Sequence, residues 1–125
     1  MTERTTGWNL EVDRGPNWLF VKLRQPNRTV AGDEVPLADE LWNLLQQHFT
    51  SRIVLELDEV DRLQSSLMGQ LVSLNKRVST QGGMLRLCGL NQANSDALKA
   101  SRLDHCLPVF HDRQEAVGMR PRQPR

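Results

Sequence analysis

The run RIVLEL (52–57) is apolar at four of its six positions and too short for a helix. Such a segment is a strand covered on both faces, so the chain must place it inside a sheet with packing above and below. MLRLC (84–88) predicts a second strand. Between the two, the period changes to that of a helix. Leu67, Met68, Leu71, Val72, Leu74 and Val78 form one apolar stripe, while Gln70, Ser73, Lys76, Arg77 and Thr80 fall on the face turned to water. Gly82 and Gly83 end the helix, because glycine takes a left-handed C-cap without steric cost. A strand, a helix and a strand in this order make a parallel pair with a crossover, and such crossovers are almost always right-handed.

The flanks extend the alternation. Trp8, Leu10 and Val12 recur at period two, as do Leu19, Val21 and Leu23, with DRGPN (13–17) between them, so the chain opens on a β-hairpin. RQPNRTVAGDEVP (24–36) is rich in turn formers and reads as a loop, with room for a brief strand at Thr29 to Ala31. Leu37, Leu41, Leu44, Leu45 and Phe49 then share a helical face, with Asp39 and Glu40 in the first turn where the helix dipole favours them. A helix over roughly 92–102 with Ala93, Ala97, Leu98 and Ala100 as its apolar face, a short strand LPVFH (107–111) and a helical turn DRQEAVG (112–118) complete the order. The expectation is one α/β domain over residues 1–118 and a flexible basic tail over 119–125.

Composition narrows the function classes. The tail MRPRQPR holds three of the sixteen basic residues and no acid, which leaves the body thirteen basic against fifteen acidic side chains. A phosphate-backbone patch on the folded part is not expected, and Trp8, Trp18 and Trp42, with no basic interleaving, read as packing residues rather than a stacking platform. Cys88 and Cys106 stand apart and read as buried free thiols in a reducing compartment. No apolar run approaches the ~20 residues of a membrane span, and MTERTTGWN lacks the apolar core of a signal peptide, so a cytoplasmic location is expected. His48, His105 and His111 are scattered, with no metal-ligand spacing, and no cofactor loop is present; Gly82-Gly83 ends a helix rather than opening one. LQSSLMG offers no Gly-x-Ser-x-Gly elbow, which sets a serine hydrolase below any binding role.

Ser65 and Ser66 remain. They stand where the acidic segment DEVDR (58–62) gives way to the apolar helix, at the carboxyl end of the first central strand. Sites in parallel sheets lie outside those ends. The turn GLN (89–91) and the loop from Arg24 belong to the same end. A serine at a helix start needs no function beyond capping. The same position also accepts a phosphate well, and a phosphoserine would add about −1.5 to −2 charges beside Glu56, Asp58, Glu59 and Asp61.

From RIVLELDEV to DRQEAV the chain resembles the STAS domain of anti-sigma-factor antagonists. That family runs through an apolar strand, a loop, Asp-Ser-Ser-Gly-Leu-Gly, an amphipathic helix, a Gly-Gly stop, a second strand, a small-residue helix with a late Leu, and a terminal strand and helix. Here the pattern reads IVLELDEVDRLQSSLMG, VSLNKRVSTQGG, MLRLCGL, ALKASRLDHCLPVF and DRQEAV. The resemblance implies a right-handed β–α superhelix: a mixed, mostly parallel sheet of four to five strands, flanking helices and an N-terminal β-hairpin. It implies a non-enzymatic regulator whose partner is an anti-sigma factor with serine kinase activity, with no direct nucleic-acid or membrane partner. Ser65 falls on the phosphorylation position, and Asp61, Gln64, Ser65, Ser66, Leu67 and Gly69 on the partner-binding segment. Gln64 replaces the family's Asp and Leu67 its first Gly, so a module that docks constitutively or senses a ligand, without phosphorylation, is the alternative.

Overall fold

Alternating apolar side chains fold the start of the chain into a hairpin. In the computed structural model, which describes residues 8–24 and 36–118, β1 (Asn9–Arg14) runs antiparallel to β2 (Leu19–Arg24), with Val12 opposite Val21. The Gly15 N–H donates to the Trp18 carbonyl at 2.8 Å and closes the turn. The chain continues through α1 (Leu37–Gln47), β3 (Arg52–Glu56), α2 (Ser65–Thr80), β4 (Met84–Cys88), α3 (Gln92–Ala100), a 3-10 turn (Leu103–His105), β5 (Val109–Phe110) and α4 (Arg113–Gly118). The sheet order is β1-β2-β3-β4-β5, and each pairing after the hairpin is parallel. This is the mixed, mostly parallel sheet predicted from the alternation. The suggested strand at 29–31, the rest of the segment 25–35, and the tail 119–125 lie outside the described residues.

β3 is central and covered on both faces, with Ile53, Val54 and Leu55 each at 0% exposure. Ile53, Leu55 and Leu57 point to the larger core, where Leu37, Leu41 and Leu45 of α1, Leu67, Leu71, Leu74 and Val78 of α2, and Leu98 of α3 meet them. Val54 points to the other face, where it meets Phe20, Cys88 and Ala116 of α4. That second face is thinner, because one short helix covers it. Each buried leucine of the main core contributes roughly 1.5–3 kcal/mol of transfer free energy.

The helix stop has the predicted cause. Gly82 takes φ +77°, its N–H donates to the Ser79 carbonyl at 3.0 Å, and the Gly83 N–H reaches the Val78 carbonyl at 2.8 Å, the two bonds of a Schellman cap. Gly83 is needed for another reason: a Cβ there would lie 2.0 Å from the Ser51 carbonyl oxygen.

Four local expectations are corrected. Phe49, expected on the apolar face of α1, lies beyond the end of that helix and is exposed. Gln70, expected to face water, is partly buried, and its Oε1 accepts the Ala38 N–H at 2.9 Å, supplying the cap that Pro36 cannot give α1. In α3, Leu98 is buried, but Ala93 and Ala100 are exposed and the first-turn residue facing inward is Asn94, at 2% exposure. The spacing of small residues could not tell that this turn packs against loop backbone, which needs a polar side chain. Cys88 is buried as expected, whereas Cys106 is exposed beyond the 3-10 turn.

Two outcomes follow. Leu71→Asp places a charge where nothing solvates it, and should abolish cooperative thermal unfolding monitored by circular dichroism. Burial pushes the Cys88 thiol up to about 12, so at pH 8 the native protein should take up one equivalent of iodoacetamide, on Cys106, and a second only after unfolding.

Candidate functional site

The segment between β3 and α2 is tied down at several points. Leu57 N–H donates to the Cys88 carbonyl at 2.9 Å, and Val60 N–H turns back to the Leu57 carbonyl at 3.1 Å. Val60 and Leu63 insert into the main core at 2% and 4% exposure. The Asn94 side chain then satisfies the backbone those insertions bury: its Oδ1 accepts the Leu63 N–H at 2.8 Å and its Nδ2 donates to the Val60 carbonyl at 2.9 Å. Asn91 caps α3 by accepting the Asn94 N–H at 2.8 Å, and its Nδ2 reaches the Asp61 carbonyl at 3.4 Å. The loop is thereby fixed to α3, and α2 starts from a fixed point.

At that point Gln64 is the N-cap residue, with extended backbone and no side-chain cap. Ser65 and Ser66 are the first two residues of the helix, both exposed. Neither serine is therefore the N-cap, which removes the plain capping account of Ser65. The first N–H groups of a helix lack intrahelical acceptors, and Gln64 leaves the dipole-positive end without a side-chain oxygen. Gly69, one turn on, is exposed, and a Cβ there would meet nothing within 4 Å. A mid-helix glycine costs about 1 kcal/mol relative to alanine, and no steric reason for it exists among the described residues. Asp61 and Gln64 are exposed beside the serines, while Leu67, at 5%, is turned into the core and supports the helix start from beneath. Its bulk does not crowd the hydroxyls.

The charge around this rim is narrower than the sequence suggested. Glu56 is buried and held by the Arg113 guanidinium at 2.5 Å, while Arg113 also reaches Asp13 at 2.8 Å. These hydrogen bonds raise Arg113 above its ordinary value. Asp58 accepts from Lys22 at 3.1 Å, which raises Lys22 in turn. Glu56 thus faces away from the serines, and Asp58, Glu59 and Asp61 are the exposed acids of the loop. Sequence reasoning missed Asn94, Arg113 and Lys22. All three act across elements, and no local spacing marks such partners.

The same rim carries an open cleft of about 460 Å³ beside the turn after β4, lined by Gly89, Leu90, Ser95, Phe110, His111 and Glu115. Glu115 accepts the His111 N–H at 2.6 Å, which settles part of its polar wall. Among the described residues there is no cluster of His, Cys, Asp and Glu that could hold a metal ion, and no helix long and apolar enough to cross a membrane.

Asn94→Ala should leave the Leu63 N–H and Val60 carbonyl buried without partners. It should lower the unfolding free energy by about 1–3 kcal/mol in denaturant titration and accelerate hydrogen exchange at the Leu63 amide.

The sequence profile of the STAS domain matches residues 20–116. Among solved structures, the chain is similar to an anti-sigma-factor antagonist (STAS) domain protein of Planctomyces limnophilus, with TM-score 0.68 and 21% identity over 86% of this chain and 93% of that one. It is also similar to a candidate anti-sigma factor antagonist of Thermotoga maritima, with TM-score 0.65 and 19% identity over 86% of this chain and 90% of the other. No curated protein matches the chain.

Proposed function

Because this chain belongs to the STAS domain family, we propose that it is an anti-sigma factor antagonist that docks its partner on the rim around the start of α2. In this reading it is a cytoplasmic regulator of transcription that acts by binding, not by catalysis. The partner is an anti-sigma factor with serine kinase activity. The observation that carries the reading is Ser65: exposed, in the first turn of a helix whose N-cap contributes no side-chain bond. Ser66, Gln64 and Asp61 lie close to it in the chain and Gly69 one helical turn on, all exposed, and the bare backbone at Gly69 would let a partner approach closely.

Phosphorylation of Ser65 is the proposed switch. The Ser65 hydroxyl attacks the γ-phosphorus of the partner's ATP, ADP leaves, and the hydroxyl proton passes to a base. Gln64 has no carboxylate to serve as that base or to orient the hydroxyl, so the base comes from the partner or from an acid of the loop such as Asp61. The phosphate formed would be stabilised in the free protein by the helix start. In the complex it would add about −1.5 to −2 charges next to Asp58, Glu59 and Asp61, within a surface shaped for a neutral side chain. A loss of several kcal/mol corresponds to roughly a hundredfold or more in affinity.

The cleft beside Gly89 supports a second reading, a module that senses a small ligand and is not phosphorylated. The two separate in one experiment. Incubation with the kinase-bearing partner and ATP should place one phosphate on Ser65, located by mass spectrometry and lost in Ser65→Ala. Ser65→Asp should weaken the partner complex about a hundredfold in titration calorimetry, with the thermal midpoint nearly unchanged. Tight binding unaffected by Ser65→Asp would refute the switch and favour the second reading.

A further inference from the structure

The opposite rim of the sheet carries features that the Ser65 reading does not use. α1 ends in a Schellman cap: Phe49 N–H donates to the Gln46 carbonyl at 3.2 Å and Thr50 N–H to the Leu45 carbonyl at 3.1 Å. The residue in the left-handed position of such a cap is ordinarily glycine. Here it is Phe49, at φ 53° and 91% exposed. A bulky residue there strains the backbone, and its ring contributes little to the core.

Three residues on, and so within about 11 Å along the chain, Arg52 opens β3. It points to the thinly covered face of the sheet, where its guanidinium lies 5.8 Å from the centre of the Trp18 ring. Arg86 of β4 lies 4.9 Å from the same ring. Met84, paired with Arg52 in the β3–β4 register, is 40% exposed. α4 covers the carboxyl half of this face, where Arg113 takes up Glu56 and Asp13. Neither Arg52 nor Arg86 has a carboxylate partner among the described residues. Arg86 donates to the Ala116 carbonyl and the Met84 sulfur instead. The two cations repel each other, and burial together with that repulsion lowers Arg86 below its ordinary value.

We propose that Trp18, Met84, Arg52 and Arg86, together with Phe49 at the same end of β3, form a second docking surface, which takes an acidic segment of a partner protein bearing an apolar side chain next to its carboxylates. Charge complementarity selects this occupant. Two neighbouring guanidiniums held on an aromatic face offer donors to carboxylates, and binding would remove their mutual repulsion. An exposed phenylalanine and a half-buried tryptophan near arginine have the composition of interface anchors. A second copy of the chain would have to bring one of its own exposed acidic stretches, such as the Asp58–Asp61 rim, to this one. Such a contact joins two different surfaces and builds rings or filaments rather than a symmetric dimer. The surface lies at the amino ends of β3 and β4, whereas Ser65 follows the carboxyl end of β3. Both surfaces can therefore be engaged at once.

A phage-displayed library of random dodecapeptides, panned on the full chain, tests the proposal. The enriched sequences should place Asp or Glu beside an aromatic or long aliphatic residue. With the best synthetic peptide in fluorescence polarisation, Arg52→Glu, which gives Arg86 an internal partner, should weaken binding about tenfold or more. Phe49→Gly should also weaken it while leaving the thermal midpoint unchanged or higher, because the cap loses its strain. Ser65→Asp should leave it unchanged, which separates this surface from the proposed switch. Failure of any peptide to enrich, enrichment without acidic residues, or full binding by Arg52→Glu would overturn the proposal. So would concentration-dependent self-association in sedimentation that Arg52→Glu abolishes, since the occupant would then be a second copy.

Discussion

The carboxamide of Asn94 joins two parts of the molecule that the sheet alone would leave apart. Its oxygen takes the Leu63 N–H and its nitrogen reaches the Val60 carbonyl, so a buried loop keeps its backbone satisfied while Val60 and Leu63 fill the core. An apolar residue at 94 would leave both groups unpaired. Without that joint the path from β3 into α2 would lose its fixed geometry, and the direction in which Ser65 faces would no longer be set. The proposed switch depends on a rigid helix start, because a mobile serine would escape repulsion by moving.

The sheet also separates the charges. At the carboxyl ends, Lys22 moderates Asp58, and Arg113 withdraws Glu56 to the second face. At the amino ends, Arg52 and Arg86 share one tryptophan without an acid beside them. The near-neutral net charge of +1 thus conceals a rim with exposed acids and a rim where two cations have no carboxylate partner among the described residues. Two ends of opposite character suit a protein that meets its partners at more than one place.

Departures from the family pattern take on physical meaning in the structure. Leu67, where the family has glycine, is absorbed by the core and leaves the serines uncovered. Gln64, where the family has aspartate, stands as an N-cap residue that makes no cap bond. The first change is structural and leaves the surface intact. The second removes a carboxylate from beside the hydroxyl, one that the proposed phosphorylation would have to find elsewhere.

Much of the architecture was legible because it rests on period and on breakers. The apolar run 52–57, the stripe from Leu67 to Val78 and the glycines at 82 and 83 are local signals, and each became the element it predicted. The exposed position of Ser65 was legible too, since a helix beginning after a central strand has to start at the carboxyl end. The roles of Gln70, Asn94, Lys22 and Arg113 were not, because each is defined by groups between 31 and 100 residues away in the chain. The inward face of α3 was misread for the same reason: small residues are compatible with either arc, and the loop it covers decided the matter. The chain by itself determined which segments are strands and helices and in what order, because backbone sterics and apolar spacing act over a few residues. Tertiary structure alone decided which polar side chains are buried, which charges are left without partners, and which surfaces stay open, because desolvation and Coulomb attraction act through space between segments that sequence distance does not connect.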